Sequence, residues 1–166
     1  MKRIAFASVV LLLLTIMSAC RDGGQRINDS NLQSTDLSNI YIAGLTIGSN
    51  ANDIDMSMFS HTESRNELYT FWFKEIAIKS DDDGLITKIL AREPRENDYY
   101  INGKNDLLTV EQIKGELGQY HNDYRYDREQ GLRAITYSDK ENKIRFTLVY
   151  SDYDNSLIWL ILDQPC

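Results

Sequence analysis

The side chains able to do chemistry in this chain are few and widely spaced. The thiols are Cys20 and Cys166, the imidazoles are His61 and His121, and carboxylates run together at Asp81-Asp82-Asp83 and at Asp152-Tyr153-Asp154. A nucleophilic thiolate needs a neighbouring base and a rigid seat, and the last residue, Cys166, has neither. Two imidazoles with one acid could hold zinc if the fold brought them together; the simpler reading is two partly exposed rings, each following a predicted helix. The acidic runs lack the glycine and terminal glutamate of a helical calcium loop and read as solvated hairpin tips. Gly48, Gly84, Gly103 and Gly118 are too far apart to cradle a phosphate, and no serine sits in a nucleophile elbow. Acids are so frequent that a pair at glycosidase spacing carries no weight. No catalytic residue, no metal set and no cofactor is therefore expected, and the chain reads as a non-enzyme.

Tyrosine is the other chemical signal, ten in the chain. Tyr99, Tyr100, Tyr120, Tyr124, Tyr126 and Tyr153 fall in segments that read as loops or loop flanks. Tyr120, Tyr124, Arg125, Tyr126 and Arg128, interleaved with Asp123 and Asp127, form the candidate binding site. Tyrosine and arginine are stiff or forked contact residues favoured at recognition surfaces, and tyrosine rings also stack on sugars. The competing reading is that about half of these rings cap the core and keep their hydroxyls at its rim.

The N-terminus indicates an address. Lys2 and Arg3 precede an apolar run from Ile4 to Met17, about 14 residues, short of the roughly 20 a membrane-spanning helix needs. Small residues follow, the pattern of an export signal that is removed. Met17-Ser18-Ala19-Cys20 resembles the lipobox of bacterial lipoproteins, with Met17 where leucine is commoner. The resemblance implies cleavage before Cys20, acylation of its sulfur, and a lipid-anchored protein on the extracytoplasmic side of a bacterial membrane. Residues 1–19 are then the lipoprotein signal peptide. An ordinary signal peptide would instead leave Cys20 free to form a disulfide with Cys166 in an oxidising compartment.

Removal of residues 1–19 leaves 147 of the 166 residues, enough for one domain with a real core. Loss of Lys2 and Arg3 takes the formal net charge from −7 to −9. Nucleic acid is disfavoured as a partner, since its binding needs clustered cations, and so is peripheral binding to an anionic membrane surface. Residues 20–38 are rich in Gly, Ser, Asn and Asp and poor in large apolar side chains. They read as a flexible lipidated tether, with an N-terminal arm packed on the domain as the alternative.

Residues 39–166 read as a single α+β domain. It contains possible repeats at 41–93 and 99–164. Ile76–Ile86 and Thr147–Ile158 both read as strand, acidic turn, strand, with Asp83-Gly84 and Asp154-Asn155 accepting left-handed turn geometry. Thr46–Phe59 and Thr109–Tyr120 both read as a helix start. Thr109-Val-Glu-Gln112 is a capping box, Val110, Ile113 and Leu117 have helical spacing, and Gly118 is a natural stop. Strands are expected over 68–73, 76–78, 85–90, 132–137, 144–150 and 157–162. Ile144, Phe146, Leu148 and Tyr150 share one face, and Leu157–Leu162, apolar on both sides, should be a central strand. The expected fold is thus tandem helix–antiparallel-strand repeats, with the helices on one face of a sheet.

Leu108-Thr-Val-Glu-Gln-Ile-Lys-Gly-Glu-Leu-Gly118, with Gly44-Leu-Thr46 more faintly, resembles the Gly-Met-Thr, Gln-Val, Leu-Gly pattern of the outer-membrane assembly lipoproteins BamE/SmpA. The plan also resembles the tandem-repeat β-lactamase inhibitor proteins. The resemblance implies a scaffold and binding role with no catalytic residues. The sequence thus predicts a lipid-anchored, non-enzymatic interaction module of the cell envelope, bound to the bilayer through acylated Cys20 and to an envelope or extracellular protein. The alternatives are a cell-wall polysaccharide-binding or hydrolytic accessory protein and a structural envelope-assembly lipoprotein.

Overall fold

A computed structural model describes residues 33–62 and 66–165. Cys20, Cys166 and residues 1–19, expected as a signal peptide, lie outside the described residues. Strands occupy 42% of the described chain and helical turns 11%, with a single α-helix. The architecture is therefore β-rich, which overturns the expected α+β plan of repeated helix–strand units.

The strands are β1 (Ile40–Ile42), β2 (Phe71–Trp72), β3 (Ile76–Ser80), β4 (Ile86–Arg92), β5 (Tyr99–Ile101), β6 (Asn122–Asp127), β7 (Leu132–Asp139), β8 (Ile144–Ser151) and β9 (Leu157–Asp163). Seven form one antiparallel sheet in the order β2-β3-β4-β9-β8-β7-β6, while β1 and β5 form a separate two-stranded ribbon. Two meanders, β2-β3-β4 and β6-β7-β8-β9, join where β4 meets β9. β9 is the middle strand of the seven, as its two-sided apolar pattern requires.

The helix α1 (Val110–Leu117) forms where the capping box places it. The Thr109 hydroxyl accepts the Gln112 amide at 3.2 Å, and the Gln112 side chain accepts the Thr109 amide at 3.0 Å. The helix expected within Thr46–Phe59 does not form; two 3-10 turns, Ala51–Asp53 and Met56–Met58, stand there. The cause is local competition. Asn50 Oδ1 accepts the Asn52 amide at 2.9 Å, and Asp55 Oδ1 accepts the Ser57 amide at 3.0 Å. Short polar side chains that satisfy amides two residues on stop a helix from propagating.

One face of the sheet carries Ile76, Ile78, Ile89, Ala91, Ile135, Tyr137, Phe146, Leu148, Leu160 and Leu162, all in the main core. Covering them are the ribbon, through Ile40, Ile42, Tyr99 and Ile101, and α1, through Val110, Ile113 and Leu117. Tyr41 lies opposite Tyr100 in the ribbon, and Leu90 lies opposite Ile161 where β4 meets β9. The turns after β3 and β8 both use a left-handed residue, Gly84 at φ 80° and Asn155 at φ 59°.

The domain begins earlier than composition suggests. The Thr35 amide donates to the Ser138 carbonyl at 2.9 Å, the Lys140 amide donates to Ser34 Oγ at 3.0 Å, and Leu37 is fully buried. Residues 34–38, expected in the tether, are an arm fastened to the β7–β8 turn.

Candidate binding face

The second face of the sheet has no helix over it among the described residues. Alternation puts Trp72, Ala77, Lys88, Leu90, Arg92, Trp159, Ile161, Val149, Thr147, Ala134, Thr136 and Tyr124 on that side. Cross-strand register orders them into rows. Arg92 on β4 lies opposite Trp159 on β9, Trp159 opposite Val149, Val149 opposite Ala134, and Ala134 opposite Tyr124 on the edge strand β6. A second row runs Trp72, Ala77, Leu90, Ile161, Thr147, Thr136, Asn122.

Large side chains shield small ones here. Ala77, Ala134, Val149 and Thr136 are fully buried, whereas Trp72, Trp159, Tyr124 and Ile161 remain part exposed. The Thr136 and Thr147 hydroxyls satisfy each other at 3.0 Å. Ring contacts join the large residues at each end of this face, and strand register sets Arg92 beside Trp159 between them, completing a strip. The Tyr69 and Trp72 rings are 5.3 Å apart, Arg92 Cζ lies 3.8 Å from the Trp72 ring, and the Tyr126 and Trp159 rings meet edge to face at 5.7 Å. Lys88 Nζ sits 5.9 Å from the Tyr69 ring. From β2 to β6 the strip crosses six strand spacings, roughly 29 Å at about 4.8 Å each.

Arg92 fixes the β2 end of the strip. Its Nη1 donates to the carbonyls of Phe73 at 2.6 Å and Lys74 at 2.8 Å. Burial lowers its pKa, with the Tyr69 and Glu75 charges opposing, and a guanidinium is still a cation at any neutral pH. At the other end, burial raises the Tyr126 phenol, and Tyr124 and Asp127 add to the rise. Tyr126 therefore presents a neutral hydroxyl donor.

The sequence-predicted site divides. Tyr124 and Tyr126, two residues apart on β6, both reach the strip, and the Tyr126 ring packs on Trp159. Arg125 alternates to the opposite face, where its register partner is Arg133. Arg133 is held by Asp123 at 2.7 Å. Arg128 is exposed in the β6–β7 turn, and Tyr120 is exposed in the loop between α1 and β6. Residues 122–127 read as loop but form β6. Their high polarity is that of a sheet edge, where charged side chains deter pairing with another chain. Tyr99 and Tyr100, also read as loop-flanking, belong to β5.

Trp72, Trp159, Arg92 and Tyr69 were not among the expected site residues. Each lies in or beside a segment readable as a strand, but which residues stand beside them follows from strand order alone.

The other candidates disperse. His61 packs against Phe73 near β2 and His121 against Tyr137 on β7, with four strands between. No group of three or more His, Cys, Asp or Glu is placed to hold a metal among the described residues. Each acidic turn uses one carboxylate internally. Asp81 Oδ1 accepts the Asp83 and Leu85 amides at 3.1 and 2.8 Å, and Asp154 Oδ1 accepts the Ser156 amide at 3.1 Å. No helix among the described residues is long and apolar enough to cross a membrane.

No protein-family model, no curated protein and no solved structure matches this chain.

Proposed function

We propose that this chain is an exported, non-enzymatic binding module, moored by acylated Cys20 on the extracytoplasmic side of a bacterial membrane, that holds a protein partner on the open face of its sheet. The observation that carries the reading is the strip Tyr69–Trp72–Arg92–Trp159–Tyr126, continued to Tyr124. Tryptophan, tyrosine and arginine are the residues most often responsible for binding energy at protein interfaces. Here they stand part exposed over small buried side chains, on rigid strands, with their rings already held by neighbours. Ordering them on binding costs little further entropy.

The tether geometry agrees with this reading. The arm is fastened at Ser138, and Ala134, under the strip, lies four residues along β7, about 13 Å away. The strip is thus set towards the end of the sheet opposite the point where the tether begins.

Photo-crosslinking in intact cells tests the reading. A crosslinking amino acid at position 126 should trap one discrete protein, and the same amino acid at Glu111, exposed on α1, should not. The adduct should disappear in a Trp159→Ala background. Equal trapping from both positions, or no adduct at 126, refutes the surface assignment.

A further inference from the structure

The β1–β5 ribbon carries a second, chemically different feature on the other side of the molecule. Tyr41 and Tyr100 are direct cross-strand partners and both point outward, 39% and 38% exposed. Opposed aromatic side chains on a ribbon ordinarily pack on each other. These two make no ring–ring contact among the described residues. Instead they line a groove of about 550 Å³ together with Asn39, Gly44, Asn102 and Gly103. That volume lies within the range of small-molecule sites.

The lining is uncharged in a chain whose net charge is −7. The nearby carboxylate is already committed: Glu116 accepts Asn102 Nδ2 at 2.9 Å and Lys104 Nζ at 2.5 Å. Those bonds hold the Asn102 amide in a fixed orientation. Gly44 and Gly103 sit at φ +76° and +79°, and a Cβ at either would meet no atom within 4 Å. Both turns therefore border open space.

We propose that this groove binds a pyranose ring of a neutral saccharide. Tyrosine rings offer flat apolar surfaces that match the C–H face of a pyranose. Asparagine amides both donate and accept, as adjacent sugar hydroxyls require. Phosphate, carboxylate or ammonium groups would lose hydration with no opposite charge in the lining to replace it. A purely aliphatic ligand would cover the Asn39 amide and the Asn102 carbonyl oxygen without pairing either. The groove faces away from the aromatic strip, so its occupancy does not depend on the strip's partner.

The test uses the full acylated chain in a non-glycosidic detergent, titrated calorimetrically with β-1,4-linked trimers of N-acetylglucosamine and of glucose. Saturable binding of at least one trimer is expected, weakened roughly tenfold or more in Tyr100→Ala. Gly103→Asn should weaken it equally, because asparagine tolerates the left-handed backbone while its side chain fills the groove. Tyr153→Ala, which removes an 87% exposed ring on a distant turn, should leave it unchanged. No saturable heat with either trimer overturns the proposal. So does equal weakening in Tyr153→Ala, or tighter binding of the planar probe p-cresol than of both trimers.

Discussion

Replacing Asp139 with alanine should release the N-terminal arm from the sheet and cost about 3 kcal/mol. Asp139 is 2% exposed and accepts four hydrogen bonds. Oδ2 takes the Leu37 amide at 3.0 Å and Asn142 Nδ2 at 2.8 Å, and Oδ1 takes the amides of Glu141 at 3.1 Å and Asn142 at 3.0 Å. The Leu37 amide is buried, so losing its acceptor costs about 2 kcal/mol; the turn amides, which can turn to water, add about 1 kcal/mol together. In a domain of this size that is a fall of roughly 6–12 °C in Tm. The acid side has a defined sign. Burial pulls the Asp139 carboxyl up, but hydrogen bonds from Asn142, Leu37 and Glu141 together outweigh it and leave the pKa below 3.8. A lowered folded-state pKa stabilises the fold above the unfolded value near 3.8, and that share is lost as pH falls through the folded value. Urea unfolding at pH 7 and at pH 3 checks both parts. The variant should be less stable at pH 7, and the gap to wild type should narrow at pH 3. A variant within about 0.5 kcal/mol of wild type at pH 7 would mean that residues 34–38 are not fastened, as composition alone suggested.

Three further outcomes are expected, two from particular contacts and one from the proposed anchor. Thr109→Ala should cost about 1 kcal/mol and raise the exchange rate of the Gln112 amide, measured by hydrogen exchange. Arg92→Met should cost about 2 kcal/mol in denaturant titrations, because it leaves the Phe73 and Lys74 carbonyls without their donor and uncovers the Trp72 ring; tryptophan fluorescence should shift with it. Cys20→Ser should abolish incorporation of labelled palmitate and move the protein from the membrane to the soluble fraction; labelling that persists in this variant would remove the anchor at Cys20.

The candidate site was half legible. Tyr124 and Tyr126 are legible because aromatic rings interleaved with charges stand out in a polar stretch. Arg125 and Arg128 group with them in the sequence because proximity along a chain resembles proximity in space when the segment is taken as a loop. Once the segment is a strand, alternation sends Arg125 to the far face. The helix expected within 46–59 fails for a reason visible in the residues, since Asn50 and Asp55 are poised to satisfy amides two positions on.

What the amino-acid order settles by itself here is local: the capped helix at Thr109, the left-handed turns at Gly84 and Asn155, and the apolar run of β9 that must lie inside a sheet. Each depends on groups within a few bonds of one another, so the energies that decide it are present in any window of the chain. Tertiary structure alone decided the rest. The buried Leu37 amide finds its acceptor in Asp139, more than a hundred residues away. Trp72 and Trp159 share a strip because β4 pairs with β9, and Tyr41 faces Tyr100 because β1 pairs with β5. Such pairings are settled by the total apolar surface that one arrangement of strands hides relative to its rivals, and no single segment carries that difference.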